Sequence, residues 1–154
     1  MGLFSKKEEL YSPVDGELKP VTESSDEMFS SKAMGDGFMV APSANEIYSP
    51  IKGKVVSVFP TKHAITFKKG KNEYLLHLGI DTVELNGEGF DINVSENESV
   101  DQNTLLGTVD FDLVKQKGKK TDVMFICTNL GSNKKISLSD SQSVKHSDNV
   151  GFIE

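Results

Sequence analysis

The chain has one cysteine, Cys127, among 154 residues, and a single thiol closes no internal disulfide. It ends the stretch Val123-Met-Phe-Ile-Cys127, the pattern of a buried strand, and reads as an inert core thiol. Positive charge is also short. Seventeen basic residues against 23 acidic ones leave a formal net charge of −6, the wrong sign for a nucleic-acid binder, whose phosphate contacts need a basic excess. No apolar run approaches the roughly 18 residues that a spanning helix requires, and no stretch reads as the apolar segment of a secretory leader. These absences point to a cytoplasmic domain that does not span a membrane. The apolar fraction, 36%, is ordinary, and the length suits one domain with a core that needs no staples.

What is present is an internal repeat. Tyr11-Ser-Pro-Val-Asp-Gly-Glu-Leu18 recurs as Tyr48-Ser-Pro-Ile-Lys-Gly-Lys-Val55, and Gly35-Asp-Gly-Phe38 recurs as Gly87-Glu-Gly-Phe90. A motif repeated only twice does not build a solenoid; it suggests one β unit duplicated and packed on itself. Short strands are expected at 55–59, 64–67, 74–80, 105–111, 123–128, 135–138 and 151–153. Only Asp112–Lys117 looks helical, with acid first and base last, and 21–31 reads as an exposed loop or short turn. The expected fold is all-β: an antiparallel sandwich or partly open barrel built from a duplicated motif, with little helix. Residues 1–10 are expected to be a short flexible leader, whose Met1-Gly-Leu-Phe4 could touch a membrane or a partner but reads as a frayed terminus. Residues 11–154 form a single domain.

His63 and His77 lie at equal distances from Gly70, and Lys69-Gly-Lys-Asn72 is a plausible hairpin tip. With Gly70 at its centre the hairpin opposes Phe67 to Glu73, Ile65 to Leu75 and His63 to His77, which brings the imidazoles together on one face. A slip of one residue would separate them. In that register both faces are apolar, so one is core and the other is either core too or a docking patch. A neutral imidazole at cytoplasmic pH offers one nitrogen to attack phosphorus, and a backbone carbonyl on the other nitrogen would fix the tautomer. A second imidazole, and backbone N–H groups after Gly79, could then donate to phosphoryl oxygens. Taken alone, two histidines in one hairpin are more often packing or chance than metal ligands, and more often metal ligands than catalytic.

Leu75-Leu-His-Leu-Gly-Ile-Asp-Thr-Val83 resembles the phosphorylation signature of the glucose-family enzyme IIA proteins of the bacterial phosphoenolpyruvate:sugar phosphotransferase system. The resemblance extends through Glu84-Leu-Asn-Gly-Glu-Gly-Phe90, Thr61-Lys-His-Ala64, Gly35-Asp-Gly37 and both Ser-Pro-x-x-Gly elements, covering the chain from Tyr11 onward. It implies that His77 accepts a phosphoryl group on Nε2, that His63 is a second active-site histidine needed for onward transfer, that Thr61 hydrogen-bonds within the pair, and that the Gly79 carbonyl orients the His77 ring. It also implies a docking surface. Asp26 and Asp81 would face an arginine of HPr, the phosphoryl donor, among the apolar Met28, Phe29, Ala33, Met34, Phe59, Ile65, Leu75 and Val83. The acceptor would be the IIB domain of a glucose-type permease, with regulatory targets known for some members. No cofactor is implied, although zinc can bind through the two histidines when a partner adds a ligand. Ile65 and Leu75 stand where the family often has aromatics. The sugar is not legible, because specificity lies in the membrane domain.

Three other classes compete. A zinc-dependent hydrolase would need His63, His77, Asp81 and His146 as ligands, but the His-x-His pair of peptidases with a related fold is absent, and His146 reads as a solvated residue. A biotinyl or lipoyl carrier would need a lysine in a Met-Lys-Met or Asp-Lys context, which Lys69 and Lys71 lack. A regulatory binding module that is never phosphorylated is the remaining alternative.

Overall fold

A computed structural model describes residues 7–154; Met1–Phe4 of the expected leader lie outside the described residues. The strands, in chain order, are β1 (Glu8–Tyr11), β2 (Gly16–Pro20), β3 (Asp36–Pro42), β4 (Glu46–Tyr48), β5 (Gly53–Val58), β6 (Ala64–Lys69) and β7 (Asn72–Ile80). They continue as β8 (Phe90–Ile92), β9 (Ser99–Val100), β10 (Leu105–Val109), β11 (Lys120–Cys127), β12 (Ile136–Leu138), β13 (Ser143–Val144) and β14 (Asn149–Ile153). Two short α-helices, α1 (Glu27–Ser30) and α2 (Phe111–Gln116), and two 3-10 turns, at Val21–Glu23 and Thr82–Leu85, complete the regular structure among the described residues. No helix among the described residues is long and apolar enough to cross a membrane.

The strands form three antiparallel sheets of a β-sandwich. An eight-stranded sheet runs β13-β2-β3-β11-β7-β6-β5-β9, and two three-stranded sheets run β1-β14-β12 and β4-β10-β8. Period-2 alternation sends Phe38, Val40, Leu76, Leu78, Val123 and Phe125 to the main core shared with the small sheets. The intervening Met39, Leu75, Met124 and Ile126 point the other way, into a second apolar cluster. That outer cluster is closed by Val21 and Phe29 from the segment expected to be an exposed loop. Val21 is fully buried and Phe29 nearly so. The local reason is a cap: Asp26 accepts a hydrogen bond from the Met28 N–H at 2.8 Å and starts α1, which turns Phe29 onto the sheet.

The repeat has a physical counterpart. The Ser12 hydroxyl donates to the Val14 carbonyl and the Ser49 hydroxyl to the Ile51 carbonyl, both at 2.7 Å. The Tyr11 N–H donates to the Pro50 carbonyl at 2.9 Å, and the Tyr48 N–H to the Pro13 carbonyl at 2.7 Å. The two copies therefore clasp each other reciprocally. The Gly-rich pair is not equivalent in the same way: Gly35 and Gly37 lie hard against the β11 backbone, whereas Gly87 and Gly89 shape a turn before β8.

Two boundaries differ from the sequence expectation. Glu8–Leu10, expected within the leader, belong to β1 and pair with β14. The β6–β7 hairpin has a two-residue loop, Gly70-Lys71, with Gly70 at φ +58, a left-handed conformation glycine adopts without a Cβ penalty. Its register pairs Lys69 with Asn72, Phe67 with Tyr74, Ile65 with Leu76 and Ala64 with His77, one residue away from the expected pairing.

Candidate active site

His77 lies on the outer face of β7, beside the second apolar cluster. Gly79, with φ +85, breaks the strand's alternation, so Ile80 joins the outer cluster although Leu78 faces the main core. The break turns the Gly79 carbonyl to His77 Nδ1 at 2.6 Å. A Cβ at Gly79 would sit 2.5 Å from Thr82 Cγ2 and 2.9 Å from the Lys120 carbonyl oxygen, so only glycine fits this turn. Thr82 is fully buried and donates its hydroxyl to the Leu78 carbonyl at 2.7 Å, bracing the turn from below. With Nδ1–H held by Gly79, the neutral ring presents Nε2 at its far edge as the unprotonated nitrogen.

His63 reaches the same place by another route. It precedes β6, after Lys62 with φ +63, so strand alternation no longer dictates its side. The register slip that should part the two histidines is undone by this bend: the rings lie 5.1 Å apart, nearly perpendicular. Thr61 Oγ1 is 2.6 Å from His63 Nδ1. Phe29 meets His77 edge-on at 5.2 Å, and Phe59 meets His63 at 5.4 Å. Burial, with the nearby His77, lowers the His63 pKa to about 4. Burial also holds His77 below its ordinary value, opposed by the Gly79 carbonyl and by the charges of Asp26 and Asp81. Both rings are thus neutral near pH 7.

The segments that carry the pair's ring contacts, and the turn after Gly79, also carry exposed apolar side chains. Met28, Phe59 and Val83 are three of the five exposed large hydrophobics among the described residues, at 53%, 38% and 49%. Ala33 is exposed, Met34 packs at the margin of the outer cluster, and the charges of Asp26 and Asp81 act on the His77 ring. Leu75 forms the floor beneath the patch and is largely buried. Ile65 does not belong to this surface. It is fully buried in the main core, because the hairpin register opposes it to Leu76 and places it on the inner face.

Other residues weighed from the sequence are elsewhere. His146 is partly buried, stacked on Tyr48 at 3.8 Å with its N–H donating to Asp15. Cys127 is buried and its thiol pushed up by burial. Among the described residues no three histidine, cysteine or carboxylate side chains gather as a metal shell. Thr82 and Ser24 escaped the sequence reading of the site. Ser24 accepts from the Asp26 N–H at 3.1 Å and so supports the α1 cap. Thr82 lies within the quoted signature, but nothing in its residue type shows that it braces Gly79.

Comparison with known proteins follows the same outline. Residues 8–133 match the family described as phosphoenolpyruvate-dependent sugar phosphotransferase system, EIIA 1. A curated relative from Bacillus subtilis (strain 168), the PTS system glucosamine-specific EIICBA component, is 44% identical over 118 residues, covering 76% of this chain. The matched region is 19% of that longer protein. The solved structure of glucose permease IIA from Mycoplasma capricolum superimposes with a TM-score of 0.90 at 36% identity, covering 97% of each chain.

Proposed function

The chain belongs to the EIIA 1 family of the phosphoenolpyruvate-dependent sugar phosphotransferase system, and on that premise we propose that His77 accepts a phosphoryl group from phospho-HPr and passes it to the IIB domain of a glucose-type permease. The observation that supports this reading best is the 2.6 Å bond from His77 Nδ1 to the Gly79 carbonyl, which leaves Nε2 unprotonated and available as a nucleophile. Phospho-HPr docks on Met28, Phe59 and Val83, with Asp26 and Asp81 facing its cationic groups. Nε2 attacks phosphorus in line as the donor's N–P bond breaks, and positioning with charge neutralisation supplies most of the rate. Where Thr61 donates to His63 Nδ1, His63 Nε2 carries the hydrogen and can donate to a phosphoryl oxygen on His77. The thiolate of IIB then takes the group by a second in-line displacement. The same patch serves both partners, and the unbranched Met28 and Met34 suit a surface that adapts to two shapes.

This reading needs no resident cofactor, and it carries the cytoplasmic setting expected of such a carrier. Two imidazoles furnish half of a tetrahedral zinc shell, so zinc at His63 and His77 would require ligands from a partner. Regulatory targets would compete for the same patch.

The test is incubation with phosphoenolpyruvate, enzyme I and HPr, followed by intact mass. The expected gain is one phosphoryl group, ~80 Da, labile to acid and stable to alkali as a phosphoramidate. His77→Gln should gain nothing, and normal labelling of that variant would overturn the assignment. His63→Gln should be labelled yet fail to deliver phosphate to IIB.

A further inference from the structure

One groove lies away from the histidines. It measures about 710 Å³ and is lined by residues 52–56, 68–70, 97, 99 and 100, at the tip end of the β6–β7 hairpin. His63 lies six residues back along the strand, about 20 Å at strand rise. Four of the lining side chains are Lys52, Lys54, Lys68 and Lys69, and none is a carboxylate. This concentration stands in a chain of net charge −6.

The lysines are placed at a cost. Lys54 and Lys68 are direct cross-strand partners in the β5–β6 register, and like charges so placed repel. None of the four lies within ion-pair distance of a carboxylate among the described residues. The carboxylates nearby are Glu73, opposite Lys68 on β7, and Glu96 and Glu98 in the turn before β9. The Glu98 side chain accepts from the Ser95 N–H at 3.2 Å. At the same place a bulge between Val55 and Ser57 leaves Val56 46% exposed, an apolar anchor amid the ammonium groups.

We propose that this groove binds an acidic polypeptide segment in extended conformation, with carboxylates on the four lysines and an apolar side chain against Val56. Charge complementarity names the partner, and three further features narrow it. The surface is concave, so a flat bilayer cannot reach its floor. All 17 basic residues of the chain are lysine, so no guanidinium fork selects a phosphate. Mobile point charges on long stems follow carboxylates spaced along a strand. A segment held here leaves His77 uncovered, so it would tether the carrier near a partner and raise its effective concentration without competing for the phosphoryl site.

The experiment titrates the isotopically labelled full chain with a synthetic peptide of repeated Glu-Glu-Leu units, followed by backbone amide NMR. A Gln-Gln-Leu peptide, inorganic phosphate and vesicles of phosphatidylglycerol are the comparison probes. The acidic peptide should shift amides at 53–56, 68–70 and 97–100 and leave 63 and 77 in place, with affinity falling several-fold from low salt to about 0.15 M. The Lys54→Gln/Lys68→Gln variant should bind at least about fivefold more weakly while His77 is still labelled normally. Lys54→Glu, whose other cross-strand neighbour is Ser99, should raise the melting temperature of the free chain by facing Lys68 with an opposite charge. Equal binding of the Gln-Gln-Leu peptide, shifts centred on the histidines, undiminished binding by the double variant, or vesicle or phosphate binding without peptide binding would each overturn the proposal.

Discussion

The two faces of the eight-stranded sheet are built from neighbouring residues of the same strands and do different work. The inner face carries Phe38, Phe67, Leu76 and Phe125, all essentially sealed from solvent and continuous with the rest of the core. The outer face carries a smaller cluster in which Met39, Met124 and Phe29 pack beside two histidines, and its margin opens onto Met28, Phe59 and Val83. The difference teaches that alternation alone can divide one strand between stability and recognition. Leu76 and His77 are adjacent in sequence, yet one is structural and the other is the proposed nucleophile.

That division can be broken from the inside first. Phe125→Ala should lower unfolding free energy by about 3–5 kcal/mol, read as a drop in the urea midpoint. Met28→Ala should leave the midpoint within about 0.5 kcal/mol while raising KM for phospho-HPr several-fold. A comparable loss of stability in both would erase the distinction between the faces. Next, Gly79→Ala should cost about 1–3 kcal/mol and slow His77 labelling more than tenfold, because the Cβ clash rotates the carbonyl off Nδ1; stopped-flow phosphotransfer reads the second effect separately from melting. Thr82→Val, which removes only the hydroxyl bond to Leu78, should cost about 1 kcal/mol and slow labelling by a few-fold. Thr82→Ser should recover most of that rate.

The smallest effect is in pH dependence. His63 titrates near 4 in the folded chain and near 6.5 when unfolded, so the unfolded state takes up its proton first as pH falls. The stability associated with the neutral ring is therefore complete above about pH 6.5 and is lost as pH falls toward about 4. His63→Gln should show a smaller difference in unfolding free energy between about pH 7 and about pH 5 than the parent, measured by urea titration at both.

The all-β class, the helix at α2 and most strands follow from periodicity and turn residues, which act locally. Register does not. Symmetry about Gly70 suggests a hairpin centred on that residue, whereas the two-residue loop Gly70-Lys71 moves every pair by one. Ile65 consequently goes to the main core. The histidines nevertheless meet, because Lys62 and Gly79 at the strand ends depart from the extended backbone, and such departures leave no trace in an apolar-polar pattern. The burial of Val21 and Phe29 was equally hidden, since it depends on a helix of one turn whose apolar contacts come from distant strands. The residues quoted for the family signature were legible as chemistry; Thr82 beneath them was not, because its role is contact with a neighbour's missing side chain.

The pairing of β1 with β14 has a consequence for how such a unit can be used. Glu8 lies opposite Ile153, so the two ends of the described fold sit side by side at one sheet edge. A chain can enter and leave the unit through almost the same point in space, and an insertion there would stretch neither strand. The fold is thus a plug-in cassette: joining its ends with a short linker and opening it at the Gly70-Lys71 loop should yield a circular permutant whose histidine pair is undisturbed.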